Sequence, residues 1–140
     1  MAAAATGGVL LEFGRESGAL FRPFNAIAHL LLGPGTLITY QFDPVATPLG
    51  VALHVITVVV WGVIFSFVAR SARGLSLVGI AVLFTGAVAL FDLLLLPRRL
   101  HPGFDEVLSG PQLAFLYLVL ALALAVALPV GERRAAGDVS

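Results

Sequence analysis

Three apolar runs, each about as long as a bilayer is thick, constrain this chain more than any other feature. Leu49 to Ala69 has no charge and one markedly polar residue, His54. Leu75 to Leu96 carries a single charge, Asp92. Leu113 to Leu128 is uncharged, and Pro111 and Gln112 extend it to spanning length. A helix needs roughly 20 mainly apolar residues to cross the hydrocarbon core, and its backbone must be satisfied internally there. The composition agrees. Of 140 residues, 59% are hydrophobic and 11% charged, whereas a soluble domain is about a quarter charged.

A fourth segment, Ala19 to Leu32, is apolar except for Arg22, Asn25 and His29, and the breaker cluster Gly33-Pro34-Gly35 follows it. Pro23 suits a first helical turn, which leaves about ten residues before the break. The reading adopted starts the helix near Ser17, with Arg22 reaching to the interface; the alternative is a kinked helix continuing to Phe42. The expected fold is therefore an all-α membrane protein, a bundle of four transmembrane helices over about 17–33, 48–70, 75–97 and 111–129. These form one domain, 17–129. Residues 1–16 read as a cytoplasmic tail, with an interfacial helix as an option at Val9, Leu10, Leu11 and Phe13, and residues 130–140 as a second cytoplasmic tail. The first sixteen residues do not read as a signal peptide, because Met1 to Gly8 has no positive charge and Glu12, Arg15 and Glu16 cut the apolar run.

Orientation follows from arginine, the chain having no lysine. Arg15, Arg22, Arg70, Arg73, Arg133 and Arg134 fall on one side of the expected bundle and Arg98 and Arg99 on the other. Six against two places both ends in the cytoplasm by the positive-inside rule, with the 33–48 and 97–112 loops outside. Abundant Ala, Leu, Gly and Arg suggest a GC-rich bacterial genome, hence a multi-pass protein of the bacterial inner (plasma) membrane.

Eight arginines balance eight acidic residues. A net charge of zero gives no basic surface for nucleic acid. The absence of cysteine removes disulfides, thiolate catalysis and thiolate metal sites. The expected partners are the lipid bilayer and other membrane subunits or a second copy. Small residues at four-residue steps, Ala81/Thr85/Ala89, Ala121/Ala125 and Gly62/Ser66, suit close helix packing within the chain or in a homo-oligomer.

Depth singles out candidate functional residues. Counted from the outer helix ends, His29, His54, Asp92 and Tyr117 each lie about 6–9 Å below the boundary at 1.5 Å per residue, one on each expected helix. Asn25 shares a face with His29. A carboxylate at that depth is costly unless paired or protonated, so Asp92 is expected to face inward, with His54 or His29 as its partner. Three readings of this polar layer stay open. It is a structural hydrogen-bonded cluster, a proton- or ion-handling site built on an Asp–His pair, or a cofactor site. The last would hold haem or a chlorin on His29 and His54, or a metal on two His and one Asp. The outer loop supplies a second group: Arg98, Arg99, His101, Asp105 and Glu106, with Arg98 and Arg99 suited to lipid phosphates or a partner's carboxylates.

At Asn25, Ala26, His29 and Gly33, and at Pro97 to Leu100 with Pro102, Gly103 and Phe104, the chain resembles a loose group of small bacterial four-helix membrane proteins. The resemblance covers about residues 17 to 128. It implies the fold and topology and a shared use of Asn25/His29 and Arg98/Arg99, and it implies no activity. With no serine–histidine–aspartate spacing, carboxylate pair or phosphate-cradling glycine loop, no catalysis is evident. The leading expectation is a small accessory or assembly subunit of a membrane complex.

Overall fold

The computed structural model describes residues 1–97 and 100–137, with the side chains of 128–137 left aside. Among the described residues the chain forms five α-helices: α1 (Ala2–Glu16), α2 (Arg22–Leu32), α3 (Ala46–Val68), α4 (Gly74–Leu90) and α5 (Gly110–Gly137). A π-helical turn, Phe91–Leu95, extends α4, and short 3-10 turns cover Pro34–Ile38 and Phe104–Glu106. Three stretches are long and apolar enough to cross a membrane: Ala46–Val68, Gly74–Leu95 and Gly110–Ala127. They match the three apolar runs to within a few residues.

The four-span count is not reproduced. The expected first span reduces to α2, whose 11 residues reach about 16 Å, half of a roughly 30 Å hydrocarbon core. Its limits are chemical. Pro23 occupies the first turn, and Gly33, with φ +90°, ends the helix. Both ends of α2 touch loops at one end of the bundle. The Arg22 guanidinium lies 4.6 Å above the Tyr40 ring, while a side chain on Gly103 would meet His29. The helix therefore packs on α3 at the end where α3 and α5 begin, called the near end below; the α3–α4 turn marks the far end.

Residues 2–16, expected as a tail, form a helix built into the bundle. Ala2, Thr6, Leu10 and Gly14, spaced four apart, are buried along one face. This face wedges between α3 and α5, which otherwise scarcely touch. Leu10 joins Phe24, Ile27, Phe104, Leu108 and Leu116 in a core at the near end, and Ala2 joins Val58, Phe65, Leu120 and Leu124 in a second core toward the far end. A Schellman turn closes α1. The Ala19 and Gly18 amides donate to the Gly14 and Arg15 carbonyls, with Gly18 at φ +72°. At the same end Arg15 pairs with Glu12, and that hydrogen bond holds the Glu12 carboxyl below its ordinary range.

α4 packs on α5 through the small residues read from the sequence. Ala81, Thr85, Ala121 and Ala125 are all buried, and the Thr85 hydroxyl donates to the Ala81 carbonyl at 3.0 Å. Asp43 sets the start of α3, its Oδ1 accepting from the amides of Ala46 (2.7 Å) and Val45 (2.8 Å). Those two bonds hold the Asp43 carboxyl below its ordinary range. At the other end of the chain α5 stays helical to Gly137, through most of the stretch expected as a tail.

The arginine count changes with these placements. Arg15 and Arg22 lie at the near end and Arg70 and Arg73 at the far end, a length of α3 away. Arg15 and Arg22 thus do not share an end of the bundle with Arg70 and Arg73, with which they were counted.

Candidate functional site

The polar layer divides into three separate nodes. Depth counting assumed that α2 spans the membrane. With only 11 residues, α2 is too short for that count, and His29 has neither His54 nor Asp92 among its partners.

The first node is Asn25, fully buried between α2, α3 and the chain joining them. Its amide donates to the carbonyls of Thr39 and Gln41, each at 2.9 Å, and its Oδ1 accepts from the Thr47 hydroxyl at 2.7 Å. Both of its donors and one of its two acceptor lone pairs go into tying the loop to α2 and α3.

The second node holds His54 against α1. Its Nε2 lies 3.0 Å from Thr6 Oγ1 and 3.2 Å from the Ala3 carbonyl oxygen. A carbonyl oxygen only accepts, so Nε2 carries the hydrogen. The Thr6 hydroxyl in turn donates to the Ala2 carbonyl at 3.0 Å. His54 Nδ1 is then left as a lone-pair acceptor. The Phe24 ring stands edge-on to the imidazole, with centroids 6.0 Å apart.

Asp92 forms the third node, on the π-helical turn. The turn closes when the Leu96 amide donates to the Phe91 carbonyl, and Pro97 prevents the helix from continuing. The expected imidazole partner is replaced by Tyr117 on α5, whose hydroxyl donates to Asp92 Oδ2 at 3.0 Å. An i→i+5 turn rotates the residues it carries relative to a regular α-helix, and such turns recur at functional sites.

His29 belongs with the outer-loop residues. Its Nδ1 donates to the Ala26 carbonyl at 2.7 Å. With Leu37, Gly103, His101, Asp105 and Glu106 it lines a polar cavity of about 180 Å³ at the near end. His101 donates from Nε2 to the Leu96 carbonyl at 2.8 Å, and its Nδ1 lies 3.6 Å from Asp105 Oδ2. Arg98 and Arg99 lie outside the described residues.

A larger cavity of about 310 Å³ joins two of the nodes. Thr6, His54, Thr57, Asp92 and Tyr117 are its polar lining, within a wall that includes Val58, Trp61, Val88, Phe91, Phe104 and Leu116. It lies between α3 and the end of α4, which meet mainly through the rings of Trp61, Phe65, Phe84 and Phe91. Its rim is apolar and exposed, at Ile56, Val60, Phe91 and Leu100.

These positions bear on the cofactor expectations. His29 and His54 face different cavities, and each has one ring nitrogen committed to the chain, so the two do not oppose each other across a macrocycle. Among the described residues no three His, Asp or Glu side chains gather as a metal-holding set. His29, His54 and Asp92 in particular do not converge.

The sequence reading missed Thr6 and Thr47. The four-residue spacing of Ala2, Thr6, Leu10 and Gly14 was the available signal for Thr6. Thr47 gave none, because its role depends on where Asn25 arrives. The chain matches no family model, no curated protein and no solved structure.

Proposed function

We propose that this chain is a non-catalytic integral membrane protein of the bacterial inner membrane, acting as a small accessory or assembly subunit of a larger complex. One observation carries the reading. Buried residues make up 17% of the α3 span, 22% of the α4 span and 28% of the α5 span. Long apolar helices that bury so little against one another present most of their surface outward, to lipid or to the helices of another protein. Lipid supplies no hydrophobic drive for helix association, so the shape and small residues of such faces decide what packs on them.

The polar residues support the same reading. Asn25, His54 and Asp92 each bond a neighbour within the chain, as groups that fix helix register do. The resemblance to small four-helix bacterial membrane proteins adds no activity that would compete with it.

Blue-native electrophoresis of gently solubilised membranes tests the proposal. The chain is expected to migrate within a complex much larger than itself. Migration only as a monomer or small homo-oligomer, under conditions that keep known complexes intact, overturns it.

A further inference from the structure

We infer that the 310 Å³ cavity between α3 and α4 is a binding site for a lipid-phase phenol, a single hydroxylated ring with a hydrocarbon chain. The inference does not depend on the accessory-subunit reading.

Size is the first ground. Small-molecule pockets run from about 300 to 1,000 Å³, and this one lies at the lower end. It suits one ring and the start of a chain rather than a macrocycle.

Access is the second. Ile56 (58% exposed), Val60 (50%) and Leu100 (49%) form the rim. With Phe91 (40%) the rim lies on two membrane-spanning segments and the loop beside them, so a molecule enters sideways from the hydrocarbon and leaves its apolar chain there.

Hydrogen bonding is the third. With Nε2–H turned to Thr6 and Ala3, His54 has only the Nδ1 lone pair left to offer. A lone-pair acceptor in an apolar wall is satisfied by an O–H donor on the ligand, whereas an ether, ester or hydrocarbon supplies none. The rings of Trp61, Phe91, Phe104 and Tyr117 surround the space and favour edge or offset contact with an aromatic head. The Asp92–Tyr117 pair lies on the same cavity but is already bonded within the chain, which leaves the discrimination to His54.

Trp61 is the chain's single tryptophan and lines the cavity, so its emission reports occupancy directly. The full chain in phosphatidylcholine nanodiscs is titrated with an alkylphenol brominated on its chain, and separately with the same brominated chain on unsubstituted benzene. The phenol is expected to quench Trp61 saturably, at concentrations roughly tenfold below the benzene, the ratio that one net hydrogen bond supplies. In His54→Phe the two probes should become equal. Thr57→Phe, which fills the cavity from an exposed position on α3, should remove saturable quenching by both and serves if His54→Phe does not fold. Equal quenching by the two probes in the unmodified chain, or saturable phenol quenching that survives Thr57→Phe, overturns the assignment.

Discussion

Asn25 has more structural consequences than any other polar side chain described here. It is the point where α2, α3 and the intervening loop are tied together, through two donors and one acceptor in a site with no exposure. Removing the amide leaves two backbone carbonyls and the Thr47 hydroxyl without their partner, and an orphaned buried group costs about 1–3 kcal/mol. Asn25→Ala is therefore expected to destabilise the protein by about 2–4 kcal/mol, allowing partial rescue by water at the near end. Thermal unfolding in detergent, compared with Ser71→Ala at an exposed position in the α3–α4 turn, checks this; an unchanged midpoint for Asn25→Ala would mean that the loop is held by other contacts. Residue chemistry alone marked Asn25, His54 and Asp92 as buried polar groups. It did not assign their partners. Asn25 bonds loop carbonyls at Thr39 and Gln41, His54 bonds a threonine from a segment read as tail, and Asp92 bonds the one hydroxyl on α5 that the depth argument had placed beside it. A side chain's need for a partner is written in its type, but which partner arrives depends on how the helices cross.

At the scale of elements, legibility follows the solvent. α3, α4 and the first part of α5 bury little of their surface against the rest of the chain, and their sequences are apolar all round and show as long runs. α1 and α2 are held by packing on other helices, which needs only one apolar or small face, and their charged and glycine positions hide them. α1 carries Gly7, Gly8 and Glu12 within its length, yet is helical because Ala2, Thr6, Leu10 and Gly14 fill the groove between α3 and α5. The seam between α2 and α3 is just as specific. A Cβ on Gly50 would overlap the Phe24 carbonyl, whereas a Cβ on Gly86 of α4 meets nothing. Gly50→Ala must push α2 off α3 or strain the backbone, an overpacking cost of about 1–3 kcal/mol. Gly86→Ala should be neutral or stabilise by up to about 1 kcal/mol through helix propensity. Opposite shifts of the two unfolding midpoints are the expected result; a Gly50→Ala protein as stable as Gly86→Ala would show that α2 does not sit against α3 as described.

For the whole molecule, the structure and the arginine count group the turns differently. By the count, the α1–α2 turn and the α3–α4 turn are both cytoplasmic, because Arg15, Arg22, Arg70 and Arg73 were summed together. In the structure the first pair stands at the near end. Phe21 packs edge-on to Phe42 with centroids 5.4 Å apart, and Phe13 meets Phe115 at the start of α5 at 6.1 Å. The second pair lies beyond the end of α3, whose 23 residues extend about 34 Å. The physical reason for the disagreement is that a charge count assigns sides only after the spans are known, and α2 is too short to move Arg15 and Arg22 across. The chain has no cysteine, so single introduced thiols are free of background. Ser17, Gln41 and Ser71 are all exposed, the first two at the near end and the third at the far end. In sealed, oriented vesicles a membrane-impermeant maleimide is expected to label Ser17→Cys and Gln41→Cys from one face. Ser71→Cys should react from that face only after the membrane is permeabilised. If Ser17→Cys instead reacts together with Ser71→Cys, α1 and α2 do carry the chain across the bilayer, and the wedge of α1 between α3 and α5 cannot be its arrangement in the membrane.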